Sequence, residues 1–99
     1  MVIAIRDVCD NDLDAVMALN NGAGQGILPL DLAQIQFFMR EAEYFRVAEM
    51  DGEVIGFLIG VLPEAPYTSS NFLWFRDRYP NFLYVDRIVV AGSRRGAGL

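Results

Sequence analysis

The chain has no histidine and no lysine, and only one cysteine among its 99 residues. Without histidine, proton transfer near neutral pH must use a carboxylate, a tyrosine, the cysteine, a terminus or water. A lone cysteine, Cys9, excludes an intrachain disulfide framework and zinc sites built from cysteine pairs. We therefore expect no metal centre.

Long hydrophobic runs and a basic leader are also missing. No stretch approaches the roughly 18 apolar residues that a membrane-spanning helix needs. The first residues show no basic segment followed by a long apolar one, so we expect a cytoplasmic protein without a membrane partner. Eight basic residues, all arginine, oppose thirteen acidic ones, which gives a net charge of −5. That balance argues against nucleic-acid binding and suits a cationic small molecule.

Apolar residues, in contrast, are abundant at 54% of the chain. A chain of this length buries only about 60–65% of the surface that its unfolded form exposes. The excess is explained either by burial against a second copy, through an open sheet edge, or by a larger domain of which residues 1–99 are the N-terminal part. We favour the second explanation.

Two helices are predicted in the first half of the chain. Residues 10–21 repeat apolar side chains at helical spacing, with Asp10 or Asn11 as the N-cap. A glycine-rich loop follows, and residues 29–45 form a second helix capped near Asp31. Its expected apolar face consists of Leu32, Ile35, Phe38, Met39 and Ala42.

Four strands are predicted, at residues 2–6, 44–50, 53–62 and 82–90. The second and third are joined by Asp51-Gly52, a strong signal for a type I′ hairpin turn. On the third strand, Gly56 and Gly60 predict bulges or close backbone approaches.

The segment 63–81 is rich in aromatic residues. Ser70 or Asn71 is expected to cap a short helix that Pro80 ends. The rings either close one end of the sheet or form the wall of an acceptor pocket, and the two roles are compatible ring by ring. The aromatic residues are Tyr67, Phe72, Trp74, Phe75 and Tyr79.

The last strand contains a carboxylate, Asp86, followed by Arg87. A charge inside a central strand is costly unless it is paired or used. Simple alternation places Tyr84 and Asp86 on the face of Ile88 and Val90, and Arg87 on the other face, unless a bulge intervenes. Asp86 is thus either a catalytic base or one half of a buried ion pair with a nearby arginine.

The chain closes with a glycine turn, "SRRGAGL", directly after this strand. Glycines let successive backbone N–H groups converge on one anion. The order of elements, together with "IVVAGSRRGAGL", resembles the Gcn5-related N-acetyltransferases, whose signature is Q/R-x-x-G-x-G/A. Arg95, Gly98 and Leu99 match its first, fourth and fifth positions, and Val90 precedes Arg95 by the usual five residues. "NFLWFRDRYPNFLYVDRIVV" is similar to a bacterial subgroup of predicted acetyltransferases.

The resemblance implies an α/β (α+β) fold with a mixed, largely antiparallel sheet and two N-terminal helices. It also implies that residues 1–99 form an incomplete acyltransferase domain, cut before the helix after strand 4. The implied reaction moves an acetyl group from acetyl-CoA to an amine of a small molecule or peptide by direct attack. We expect these 99 residues alone to be inactive. The alternative is a non-catalytic CoA-binding or interaction module.

Site residues follow from the same resemblance. The main chain of Ile88, Val89 and Val90 is expected to pair with the donor and to supply an oxyanion-stabilising N–H. Asp86 is the candidate base, with Tyr84 beside it, and the general acid is unassigned. The residues expected to grip the pyrophosphate are Arg94, Arg95, Gly96, Ala97, Gly98 and Leu99. Those expected to contact the acceptor are Asn20, Tyr67, Asn71, Trp74 and Phe75.

Overall fold

A computed structural model describes residues 3–23 and 27–92 of the chain. The predicted pyrophosphate site at 94–99 lies outside the described residues, so those six assignments stay predictions. The elements are β1 (Ile3–Asp7), a 3₁₀ turn (Asp10–Asp12), α1 (Leu13–Asn21), α2 (Leu32–Glu41), β2 (Tyr44–Met50), β3 (Glu53–Val61), α3 (Ser70–Arg78) and β4 (Tyr84–Val90).

The four strands form one antiparallel sheet in the order β1-β2-β3-β4. The predicted α+β arrangement, with two helices between the first two strands, is confirmed at this level. Asp51 and Gly52 have φ values of 54° and 80°, as the predicted type I′ turn requires. Among the described helices, none is long and apolar enough to cross a membrane.

The start of α1 differs from the prediction. The 3₁₀ turn precedes the helix, and Asp12 rather than Asp10 or Asn11 occupies the cap position. The Asp12 carboxylate accepts hydrogen bonds from both terminal nitrogens of Arg6, at 2.7 and 2.9 Å, and from the Cys9 amide at 2.8 Å. The hydrogen bonds from Arg6 hold the pKa of Asp12 well below its usual range. This pairing ties β1 to the entry of α1.

The second helix is shorter than predicted at both ends. Asp31 caps it as expected: its Oδ1 accepts from the Gln34 amide at 2.9 Å, and the Gln34 side chain accepts from the Asp31 amide. This capping box fixes the first turn of the helix at Leu32. Leu32 is exposed, so its predicted place on the apolar face is wrong, and Leu30 is buried instead. Ala42 already has extended backbone angles and leads into β2.

The helices cover one face of the sheet. The main buried cluster on this face includes Val16, Ile35, Phe38, Val47 and Ile59. The opposite face carries a shallow groove of about 260 Å³. Its floor is low where Ala48 pairs with Gly56. A Cβ at Gly56 would lie 2.9 Å from the carbonyl oxygen of Val89, which confirms the close approach predicted there.

A bulge in β4 corrects the predicted face of its side chains. The register steps from Ile59↔Arg87 to Gly60↔Val85, which leaves Asp86 as the extra residue. A bulged strand presents two residues against one, so the alternation of side chains is interrupted. Arg87 pairs with Ile59 and faces the helices, and the bulge brings the Asp86 side chain to the same side. The expectation that Asp86 and Tyr84 share the face of Ile88 is wrong for this reason, whereas Arg87 lies on the face opposite Ile88, as expected.

Candidate functional site

Asp86 and Arg87 form a buried ion pair at the bulge. Nε of Arg87 donates to Oδ2 of Asp86 at 2.7 Å, and the two side chains are 9% and 5% exposed, respectively. An unpaired charge this deep would be strongly destabilising, so each group depends on the other. The ion-pair alternative from the sequence thus describes the geometry of Asp86, while its role as a base stays a prediction.

Arg87 also ties the loop between α1 and α2 to the sheet. Its Nη1 donates to Oδ1 of Asn20 and to the carbonyl oxygen of Leu28, both at 2.9 Å. Asn20 is buried at the end of α1, and its amide donates to the Leu28 carbonyl and to Oδ1 of Asn21. Asn20 therefore has both of its N–H donors engaged by the protein. A contact between Asn20 and the acceptor stays a prediction.

Tyr67 completes this network from the segment after β3. Its hydroxyl donates to Oδ1 of Asp86. The ring centroid lies 5.8 Å from that of Phe37, 5.3 Å from Phe38 and 5.4 Å from Phe72. Burial, and next the hydrogen bond to Asp86, raise the pKa of Tyr67 well above its usual value. Tyr67 consequently stays protonated at neutral pH and acts as a donor to the carboxylate.

A cleft opens beside the network, between α2 and residues 66–68. It has a volume of about 490 Å³. We call it the aromatic cleft, and its lining residues include Asp31, Phe37, Phe38, Tyr67 and Arg87. Three of its eleven lining residues are aromatic, several others are polar, and Arg87 is the buried cation among them. Small-molecule sites likewise combine apolar surface with placed polar groups.

The other predicted acceptor residues lie elsewhere. α3 begins at Ser70 after Ser69, one residue earlier than expected, and Asn71 is exposed on it. Trp74 is exposed too, and the guanidinium of Arg78 lies 4.0 Å from its ring centroid. A cationic acceptor at Trp74 would have to displace that contact. None of the three groups at Asn71, Trp74 and Phe75 lines the aromatic cleft.

Tyr84 packs against other aromatic rings rather than against the Asp86–Arg87 ion pair. Its ring centroid lies 5.8 Å from that of Phe72 and 5.9 Å from that of Phe75. Tyr84 belongs to the aromatic cluster that closes the α3 end of the sheet, as the first reading of the 63–81 segment expects. Its catalytic role stays a prediction, and Tyr67 takes the hydrogen-bonding position next to Asp86.

The outer edge of β4 has no neighbouring strand within the described sheet. The Ala91 amide donates to the Ile55 carbonyl oxygen at 2.8 Å. In an antiparallel pair, alternate residues turn their main-chain groups toward the partner strand. Val89 and Ala91 thus face β3, and the N–H and C=O of Ile88 and Val90 face the open edge. Only two of the three residues predicted to bind the donor through their main chain have that chain free to do so.

Sequence reasoning missed two parts of this site. The contribution of Phe37 to the cleft wall was not predicted, because its position in α2 lies beside the helix's expected apolar face. The part played by Arg87 was underrated, because the bulge at Asp86 has no signal in sequence beyond two charges inside an apolar strand. The described residues contain no group of three or more His, Cys, Asp or Glu side chains placed to hold a metal ion.

Comparison with known proteins adds no relative to this picture. Neither a scan against protein-family models nor a search of curated proteins finds a match for this chain.

Proposed function

We propose that this chain carries the acyl-CoA-binding sheet of an N-acetyltransferase. The observation that carries the proposal is the open edge of β4, where Ile88 and Val90 turn their main-chain groups away from β3. The order of strands and helices and the resemblance of residues 88–99 to the Gcn5-related pattern support the same assignment. An extended amide-bearing chain such as pantetheine binds a free strand edge by adding to the sheet.

The donor fits this edge chemically. Pantetheine offers two amide groups that can exchange hydrogen bonds with successive outward-facing residues of a strand. An outward N–H of Ile88 or Val90 is then available to the thioester carbonyl, where negative charge develops during amine attack. Residues 93–99 would complete the site by holding the pyrophosphate on backbone N–H groups and two arginines.

Proton removal from the acceptor amine is assigned to Asp86, acting through Tyr67. Both carboxylate oxygens of Asp86 already accept a hydrogen bond, one from Tyr67 and one from Arg87. Tyr67 lines the aromatic cleft, and a phenol oxygen that donates its proton keeps a lone pair with which to accept another. It accepts the amine proton while its own proton moves to Asp86. Amine attack forms the C–N bond, and the CoA thiolate leaves as the C–S bond breaks.

The experiment measures acetyl-CoA binding by calorimetry and CoA release by thiol detection, with a panel of amines. Binding together with amine-dependent thiol release supports the proposal. A chain that includes residues beyond Leu99 is tested in parallel, and we expect it to bind acetyl-CoA at least tenfold more tightly, or by about 1.4 kcal/mol. Neither binding nor release in either chain would refute the proposal.

The second candidate is a module that binds CoA without turnover. It is favoured by the double engagement of Asp86, which leaves the predicted base paired with a cation. Binding without thiol release across the amine panel distinguishes it. Homodimerisation through the free edge of β4 is a third outcome, because exposed edges invite strand pairing. A monomer by light scattering removes that outcome.

A further inference from the structure

Two N–H donors of Arg87 have no acceptor among the residues that the structure describes. A guanidinium carries five N–H groups. One on Nε is bonded to Asp86, and the two on Nη1 are bonded to Asn20 and Leu28. The two on Nη2 have no partner among the described residues. The Arg87 side chain as a whole is 91% buried.

The Arg87 side chain forms part of the wall of the aromatic cleft. Arg87 lines this cleft of about 490 Å³, and its guanidinium carbon lies 5.8 Å from the ring centroid of Phe38. Phe37 and Tyr67 supply further ring surface. A fixed, largely buried cation at the wall of an aromatic cavity is suited to an oxygen anion carried on an apolar body, because charge-assisted hydrogen bonds from arginine are strong and directional.

The other charges near the cleft do not compete for this role. Asp31 and Arg40 also line it, and both are exposed and of opposite sign. The carboxylate of Asp86 is already held by Nε of Arg87 and by Tyr67. Selectivity must therefore come from the two directed N–H groups of Nη2 and from burial of the apolar body, rather than from a net positive field.

We propose that the aromatic cleft binds a ligand with a carboxylate on an aromatic or aliphatic body, with Nη2 of Arg87 as the donor to the carboxylate. Its identification as the acetyl acceptor, which makes the acceptor an amino-acid-like amine, rests on the proposed function. The binding itself does not, so the two are tested separately.

Binding is tested by calorimetry without acetyl-CoA, using 3-phenylpropanoate and its neutral isostere 3-phenylpropanamide. We expect the carboxylate to bind at least tenfold more tightly. Ala33→Trp fills the cleft from an exposed position on α2 and should abolish binding. Gln36→Trp, an equally exposed position on the same helix that does not line the cleft, is the matched control and should bind as the parent does.

Equal affinity for the two probes, or equal loss in both tryptophan variants, would overturn the proposal. Arg87→Lys keeps the charge but removes Nη2, and in a folded variant the preference for the carboxylate should disappear. If that variant does not fold, the probe pair and the tryptophan pair still decide. The link to acetyl transfer is tested with L-phenylalanine against 2-phenylethylamine: faster transfer to 2-phenylethylamine, with carboxylate binding intact, would contradict the acceptor assignment alone.

Discussion

The hydrogen bond from Tyr67 to Asp86 is open to a clean stability test by Tyr67→Phe. The substitution removes one oxygen and keeps the ring against Phe38 and Phe72, so no sizeable cavity forms. It removes a hydrogen-bond donor from the Asp86 carboxylate, which is 5% exposed. A hydrogen bond to a charged group contributes about 1.5–3 kcal/mol, and the partial burial of Tyr67 places the expected loss near the lower half, at about 2 kcal/mol.

Urea unfolding followed by circular dichroism measures this loss. With a slope of about 1–3 kcal/mol per molar for a small protein, the midpoint should fall by roughly 1 M. Tyr79→Phe is the matched control, because Tyr79 is half exposed and lies on the surface after α3. We expect that control to change stability by less than about 0.5 kcal/mol. Identical midpoints for the two variants would show that the Asp86 carboxylate does not depend on Tyr67.

Two further predictions concern the sheet and the entry of α1. Gly56→Ala should destabilise the fold by about 1–3 kcal/mol, because its Cβ would meet the Val89 carbonyl oxygen. Gly92→Ala, whose Cβ would meet no described atom within 4 Å, should not. Equal thermal midpoints would refute the close approach at Gly56. Asp12→Asn should flatten the acid limb of unfolding: the Asp12 pKa is lowered by Arg6, so its contribution is present above about pH 4 and is lost as pH falls. An unchanged slope between about pH 4 and pH 2 would count against that pairing.

The fold was largely accessible from local sequence signals. The Asp31 capping box and the Asp51-Gly52 turn are set by neighbouring residues, and both are found in the structure. Helix ends were harder to predict, because they depend on partners far along the chain. Asp12 occupies the cap position and accepts a hydrogen bond from Arg6 of β1. The helical periodicity of residues 10–21 cannot predict this contact with a strand.

The candidate site was predicted only in part. The sequence analysis predicts Asp86 and Tyr67 as site residues, and a hydrogen bond joins them in the structure. The bulge that brings Asp86 to the side of Arg87 arises from pairing between β3 and β4, a tertiary event that alternation along one strand cannot predict. The sequence does not show which aromatic residues of segment 63–81 line a pocket. In the structure, Trp74 is exposed on α3, whereas Tyr67 lines the aromatic cleft.

Amide hydrogen exchange, measured by NMR with and without acetyl-CoA, tests the central claim most directly. In the free protein, the amides of Val89 and Ala91 should exchange slowly, because they point toward β3. The amides of Ile88 and Val90 point to the open edge and should exchange fast. Saturating acetyl-CoA should slow exchange at Ile88 and Val90 at least tenfold and leave Val89 unchanged. Binding of acetyl-CoA that leaves Ile88 and Val90 in fast exchange would contradict the account.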